Sequence, residues 1–204
     1  MATAALTYYT PEEYLALERH AEFKSEYIDG QIVAMTGASA PHNLIAGSVL
    51  AELRMRFRGR PCRAFIGDMR VQIEGGRRYT YPDVVAVCGE PKFLDGVLDT
   101  LENPTLIVEV LSPSTEAYDR GEKFTHYRAI ETLQEYVLVA QDRVMVERFV
   151  RHGEFWMFSA FGDLDEAVEL TSVACTIPLR EIYENVEFPA PAAAADPEAD
   201  AHRS

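Results

Sequence analysis

The sequence predicts a mixed α/β fold, a central mixed sheet flanked by helices, and three observations carry that prediction. First, Thr105 to Leu111, TLIVEVL, is a short run that is apolar on both faces, as expected of a central strand covered on both sides. Second, apolar stripes at helical spacing occur before and after this run. Third, several strand-length alternating segments surround it, some of them antiparallel by their turn signals. Within TLIVEVL, Leu106, Val108 and Val110 share one face while Ile107, Glu109 and Leu111 share the other. Glu109 is therefore aimed at the interior or at a cleft, where an unpaired charge is costly. Asp83, in the preceding apolar strand, and Lys123, at the start of the following helix, are the candidate partners.

In chain order, Thr10-Pro11-Glu12-Glu13 is a helix start with Thr10 as N-cap, Pro11 in the first turn and Glu13 closing a capping box. Ser25 to Met35 reads as an added N-terminal hairpin turning at Asp29-Gly30, with Glu26 and Ile28 on one face. After a small-residue loop, Pro41 opens a helix to about Arg58, with the stripe Ala46, Val49, Leu50, Leu53 and Phe57; Gly59 and Pro61 stop it. His42 falls in its first turn, where a surface or capping role is the commoner one. Cys62 to Glu74 and Tyr79 to Cys88 read as two antiparallel strands joined around Gly75-Gly76, and Pro82 marks an edge or bulge in the second.

Residues 89–103 read as loop, and Ser112-Pro113-Ser114-Thr115 ends the central strand and leads to a helix over about Tyr118 to Ile130. On it Asp119, Lys123 and Tyr127 follow one another at four-residue spacing along one face; the bland account of the first two is an exposed ion pair. Glu135 to Ala140 is a further strand, followed by a C-terminal β-meander with turns at Asp142-Arg143 and His152-Gly153. Thr176 and Pro178 are expected to start a last short helix to about Asn185. Residues 1–188 are thus expected to form a single domain, and residues 189–204, rich in alanine and proline, a disordered tail.

The longest apolar runs are strand-sized, far below the ~20 residues of a membrane helix, so no membrane association is expected. Cys62, Cys88 and Cys175 form no CxxC pair and are odd in number, which favours free thiols in a reducing cytoplasm. A net charge of -14 argues against broad non-specific nucleic-acid binding. The charge is uneven, however: Arg54, Arg56, Arg58, Arg60, Arg63, Arg70, Arg77 and Arg78 face only Asp68 and Glu74 in the same stretch, a local excess of six. That stretch is expected either to be a solvated basic face or to border a phosphate-binding cleft. No GKS or GKT string supports a P-loop.

The strings EYIDGQIVAM, Pro41-His42-Asn43, YTYPDVVAVCGEP, NPTLIVEVLSPST, YDRGEKFTHYRAI and LQEYVLV resemble the Uma-type restriction-endonuclease family within the PD-(D/E)XK superfamily, over most of Thr10 to Tyr183. The resemblance implies a restriction-endonuclease-like core and a nuclease-like domain over 1–188. It implies metal-dependent hydrolysis of DNA phosphodiester bonds, with Mg²⁺ (Mn²⁺ as substitute) on the carboxylates of Asp83 and Glu109 and the main-chain carbonyl of Val110. The lysine expected two residues after Glu109 is replaced by Leu111, and Lys123 is the candidate to stand in for it. Glu26 as an additional acidic ligand, His42 as a substrate contact and Tyr127 complete the candidate set. Because nucleases that cut both strands commonly act as two-fold pairs, a cytoplasmic homodimer acting on DNA is expected. The competing reading is a catalytically inactive nuclease-fold binding or assembly protein, which the acidic charge and Leu111 favour.

Overall fold

A computed structural model of the chain describes residues 7–188; the tail predicted at 189–204 lies outside the described residues. Helix α1 (Pro11–Glu18) begins as its sequence dictates: Thr10 Oγ1 accepts the Glu13 N–H and Glu13 accepts the Thr10 N–H. The hairpin of β1 (Ser25–Ile28) and β2 (Gln31–Ala34) turns at Asp29 and Gly30, both at positive φ (47° and 95°). Helix α2 (Ala40–Arg56) is capped by Ser39, and its stripe is as predicted with Ile45 added.

The two long strands expected over 62–88 are each broken in the middle. The ribbon forms four strands, β3 (Cys62–Ile66), β4 (Arg70–Ile73), β5 (Arg78–Thr80) and β6 (Val84–Cys88). β3 pairs with β6 and β4 with β5, but the two pairs belong to different sheets. Pro82, which has no N–H to give a ladder, and Gly67, at φ 39°, mark the two crossings. The Gly67 N–H donates to the Asp83 carbonyl at 3.0 Å and ties them together.

The remaining strands are β7 (Thr100–Leu101), β8 (Leu106–Leu111), β9 (Glu135–Ala140), β10 (Val146–His152), β11 (Phe155–Phe161), β12 (Ala167–Leu170) and β13 (Cys175–Pro178). One sheet has the order β11-β10-β9-β8-β6-β3 and the other β2-β1-β5-β4-β7. Both are mixed, with β8–β9 and β4–β7 parallel. The predicted hairpin is therefore part of a second sheet rather than an appendage. β7, two residues long, lies within the expected loop.

All six residues of β8 are buried, and the alternation read from the sequence holds. Leu106, Val108 and Val110 pack with Ile45, Val49 and Leu53 of α2. Ile107 and Leu111 pack on the other face with Tyr127, Ile130, Tyr136 and Val71. Truncating Leu106 to Ala would cost about 2–5 kcal/mol, since its side chain is fully buried in the core on the α2 side.

After β8 the chain is helical from Glu116 to Tyr127, as α3 (Glu116–Tyr118), a π turn (Asp119–Lys123) and α4 (Phe124–Tyr127). Two further expectations are corrected. The segment at Thr176 is strand: Val168, Leu170, Cys175 and Ile177 alternate into the core across a turn with Ala174 left-handed at φ 48°, and the last helix, α5, is only Leu179–Ile182. The cysteines are not all thiols, because Cys62 and Cys88 sit directly opposite each other on β3 and β6 and are joined as a disulfide; Cys175 is free and buried. Among the described residues no helix is long and apolar enough to cross a membrane.

Candidate active site

The site forms where the two sheets meet. β8 delivers Glu109, and the crossing before β6 delivers Asp83 beside it, since Val84 pairs with Val108 and Asp83 follows the same register outward. The Asp83 N–H donates to Glu109 Oε2 at 3.3 Å, and Asp83 Oδ2 accepts the Val110 N–H at 2.7 Å. At Val110 the observed contact is thus its N–H, against the carboxylate of Asp83. The helix after β8 returns over the strand's end, and its stripe converges on Glu109. Lys123 Nζ is 2.8 Å from Glu109 Oε1, and Tyr127 Oη donates to the same oxygen at 2.8 Å.

The Asp119–Lys123 pair, at 3.4 Å, is not the exposed surface pair of the bland account. Asp119 is 3% and Lys123 7% exposed, because the helix face that holds them is pressed between the sheets. Glu26 enters from β1, its Oε1 accepting the Tyr81 N–H at 3.3 Å and lying 3.8 Å from Lys123 Nζ. His42, from the first turn of α2, places Nε2 3.2 Å from Asp83 Oδ2, while its Nδ1 is buried without a hydrogen-bond partner among the described residues. All the residues singled out from the sequence are therefore neighbours. Two others were missed. Asp119 was read as a surface partner, and Thr80, whose hydroxyl is 3.0 Å from Tyr127 Oη, carries no sequence signal of its own.

Three carboxylates (Glu109, Asp119 and Glu26) surround one ammonium and Asp83 stands beside Glu109, so the cluster carries excess negative charge in a mostly buried place. Burial acts to lower the pKa of Lys123, but the carboxylates of Glu109, Glu26 and Asp119 outweigh it and hold the amine well above its usual range. Burial pushes Glu109 up to about 8; Lys123 pulls it down, and the nearby carboxylates of Asp83 and Asp119 push it further up. Such a cluster is relieved either by a retained proton or by a cation. Among the described residues no group of three or more His, Cys, Asp or Glu side chains is placed to hold a metal ion by itself. The donor set is two hard carboxylates, Asp83 partly exposed and Glu109 buried behind it. That chemistry fits Mg²⁺, which keeps several non-protein ligands.

Residues 11–178 match the Uma2 family, described as "Putative restriction endonuclease". The chain belongs to the Uma2 family. Two Synechocystis sp. proteins, sll1609 and slr1290, both described as uncharacterized, are similar to this Uma2 chain. The first is 40% identical over 154 residues, 76% of this chain and 87% of that protein. The second is 36% identical over 180 residues, 88% of this chain and 93% of that protein. In fold, the Uma2 chain resembles the crystal structure of a putative nuclease belonging to DUF820 from Anabaena variabilis. The TM-score is 0.71 at 21% identity, over 86% of this chain and 97% of that one.

The basic stretch contributes less free charge than its count suggests. Arg70 is buried against Thr100, Tyr81 and Asp99. Arg77 and Arg78 pair with Asp29, and Arg78 also with Glu74. Arg56 is held by Glu52 and the Thr176 carbonyl, and Arg60 by the carbonyls of Val173 and Ala174. Arg54, Arg58 and Arg63 remain exposed and without an ion-pair partner among the described residues.

Proposed function

We propose that this protein is a Mg²⁺-dependent endonuclease that hydrolyses phosphodiester bonds in DNA, with Asp83, Glu109 and the Val110 carbonyl holding the metal and Lys123 acting on the phosphate. The observation that supports it most is the arrival of the Lys123 ammonium at Glu109 from the following helix, where Leu111 leaves the strand without a lysine. When bound, Mg²⁺ would offset charge on the phosphoryl oxygens and make the attacking water more acidic. Lys123, held cationic by its three carboxylates, stabilises the charge that develops as the water oxygen bonds to phosphorus and the opposite P–O bond breaks. Tyr127, hydrogen-bonded on both sides, fixes the orientation of Glu109. His42 steadies Asp83 from the α2 side, beside the place where substrate would meet Asp83; Glu26 keeps Lys123 centred.

In this reading residues 1–188 act as one nuclease-like domain in the cytoplasm and as a homodimer. The Cys62–Cys88 bond runs against that compartment, and the thiol count predicted below bears on it. The edge strand β11 exposes Phe155 and Met157 on one face, an apolar surface suited to a second copy. A second reading, a binding module without catalysis, is favoured by the number of partners Glu109 already has: Lys123, Tyr127 and the Asp83 N–H. Incubating plasmid and oligonucleotide DNA with wild type, Asp83→Ala and Glu109→Ala in Mg²⁺ or Mn²⁺ separates the readings. Metal-dependent cleavage lost in both variants supports the nuclease; no cleavage by pure wild type with either metal overturns it.

A further inference from the structure

A groove of about 560 Å³ runs between the C-terminal part of α2 and β3. Its floor and rim include Phe65, Ile66 and Met69, and the arginines along it are Arg54, Arg58 and Arg63, the three of the basic stretch that neither a carboxylate nor a carbonyl holds among the described residues. Asp68, the acid on the rim, is itself paired with Lys24 Nζ at 2.8 Å. In a chain of net charge -14 this concave surface is therefore locally cationic. It also leads to the carboxylates. Ile66 pairs with Val84, the residue after Asp83, and the next N–H, that of Gly67, bonds the Asp83 carbonyl. β3 is an edge of its sheet, so nothing among the described strands lies beyond it.

We infer that this groove binds a single-stranded segment of DNA, with phosphates on Arg54, Arg58 and Arg63 and unstacked bases against Phe65, Ile66 and Met69. Charge complementarity selects a polyanion, and the apolar floor selects one whose bases are free. A duplex could offer the arginines its phosphates but would keep its base faces stacked away from the aromatic floor. The volume suits one or two nucleotides rather than a helix, being within the range of about 300–1,000 Å³ typical of small-ligand pockets. Arg54 sits in the last turn of α2, Arg58 two residues past its end and Arg63 on β3, so they offer successive points to one strand rather than a cradle for a single phosphate. The inference rests on the nuclease reading for its direction, since it has the strand leave the groove toward Asp83.

The test uses the full chain in EDTA, so that no metal or cleavage is involved, and follows the anisotropy of a short fluorescent oligothymidylate against salt. The charge-reversal variant R54E/R58E/R63E is expected to lower affinity by at least about tenfold and to flatten the log–log salt slope by about 2, the value for three single-strand phosphates. Phe65→Ala is expected to weaken the single strand while leaving that slope unchanged. Unchanged affinity and slope in the arginine variant, with a wild-type melting curve, would overturn the inference. So would equal preference for a hairpin duplex of the same charge, or a shift in sedimentation showing that the groove holds a second copy. If wild type binds the strand through these arginines but cleaves nothing with Mg²⁺ or Mn²⁺, the groove stands and the nuclease reading falls. If it cleaves while the arginine variant binds normally, the groove assignment falls alone.

Discussion

Lys123 Nζ lies 2.8 Å from Glu109 Oε1, although the two residues belong to a helix and to the strand before it. The family resemblance leads to the expectation of a lysine at position 111, but Leu111 points into the core with Ile107 and Tyr127. The ammonium instead reaches the carboxylate through the returning helix. Lys123→Ala is expected to slow single-turnover cleavage by about two to three orders of magnitude, the usual loss for one charged donor at the transition state. Mn²⁺ binding should persist, because Lys123 supplies no metal ligand. Because the variant leaves Glu109, Asp119 and Glu26 buried together, it should also lose about 3–5 kcal/mol of stability. Near-wild-type cleavage would remove Lys123 from the chemistry.

Glu109 gives a pH dependence with a definite sign. Its pKa rises from 4.5 to about 8 in the folded protein, mainly through burial, so the fold favours the protonated acid. The corresponding stability is complete below about pH 4.5 and is lost as pH rises through about 8. Melting temperatures of metal-free wild type should fall across neutral to mildly alkaline pH, and those of Glu109→Gln should not. Mg²⁺ or Mn²⁺ should bind with proton release, read as a buffer-dependent heat in calorimetry.

Tyr127→Phe removes one hydroxyl from a chain of hydrogen bonds joining Thr80 to Glu109. The orphaned Thr80 hydroxyl and the weakened carboxylate should cost about 1–3 kcal/mol. Cleavage should fall through kcat with little change in KM, since Tyr127 orients a ligand rather than touching substrate. A larger change in KM than in kcat would place Tyr127 against the DNA instead.

If β11 is the dimer surface, Phe155→Glu with Met157→Glu should give a monomer by sedimentation, with an unchanged melting curve. Phe155 is 79% exposed in the single chain, so the substitution disturbs no core. A dimer that survives the double substitution would move the interface elsewhere.

The disulfide predicts a thiol count. Unfolded without reductant the chain should show one reactive thiol, Cys175, and with reductant three. With a sequence separation of 26, reduction should cost about 3.5 kcal/mol on the chain-entropy account. Three thiols without reductant would restore the all-thiol expectation.

What could be read from the sequence was local. The Thr10 capping box, the Asp29-Gly30 turn and the alternation of Leu106 to Leu111 depend on neighbours a few residues away, and each is present in the structure. The Asp119–Lys123–Tyr127 stripe was legible as a face but not as a buried one, because four-residue spacing is the same on a wet helix and a dry one. The passage of one ribbon between two sheets was not legible, since Gly67 and Pro82 look like ordinary breaks until the partners of β3 and β4 are known. Thr171 to Ala174 hid a hairpin because alanine in a left-handed turn gives no warning. The arginine count misled because five of the eight find partners distant in the sequence.

The π turn at Asp119–Lys123 gives the helix one residue to spare in the length of the chain itself. Such turns hold a residue beyond what an α-helix needs over the same rise. Deleting Gly121, a position with open space around it, would return the turn to α geometry with its two flanks still in phase. Asp119 and Lys123 would then be three residues apart, still neighbours on one face. A loss of three nucleotides from the coding frame at this codon should therefore leave the centre assembled.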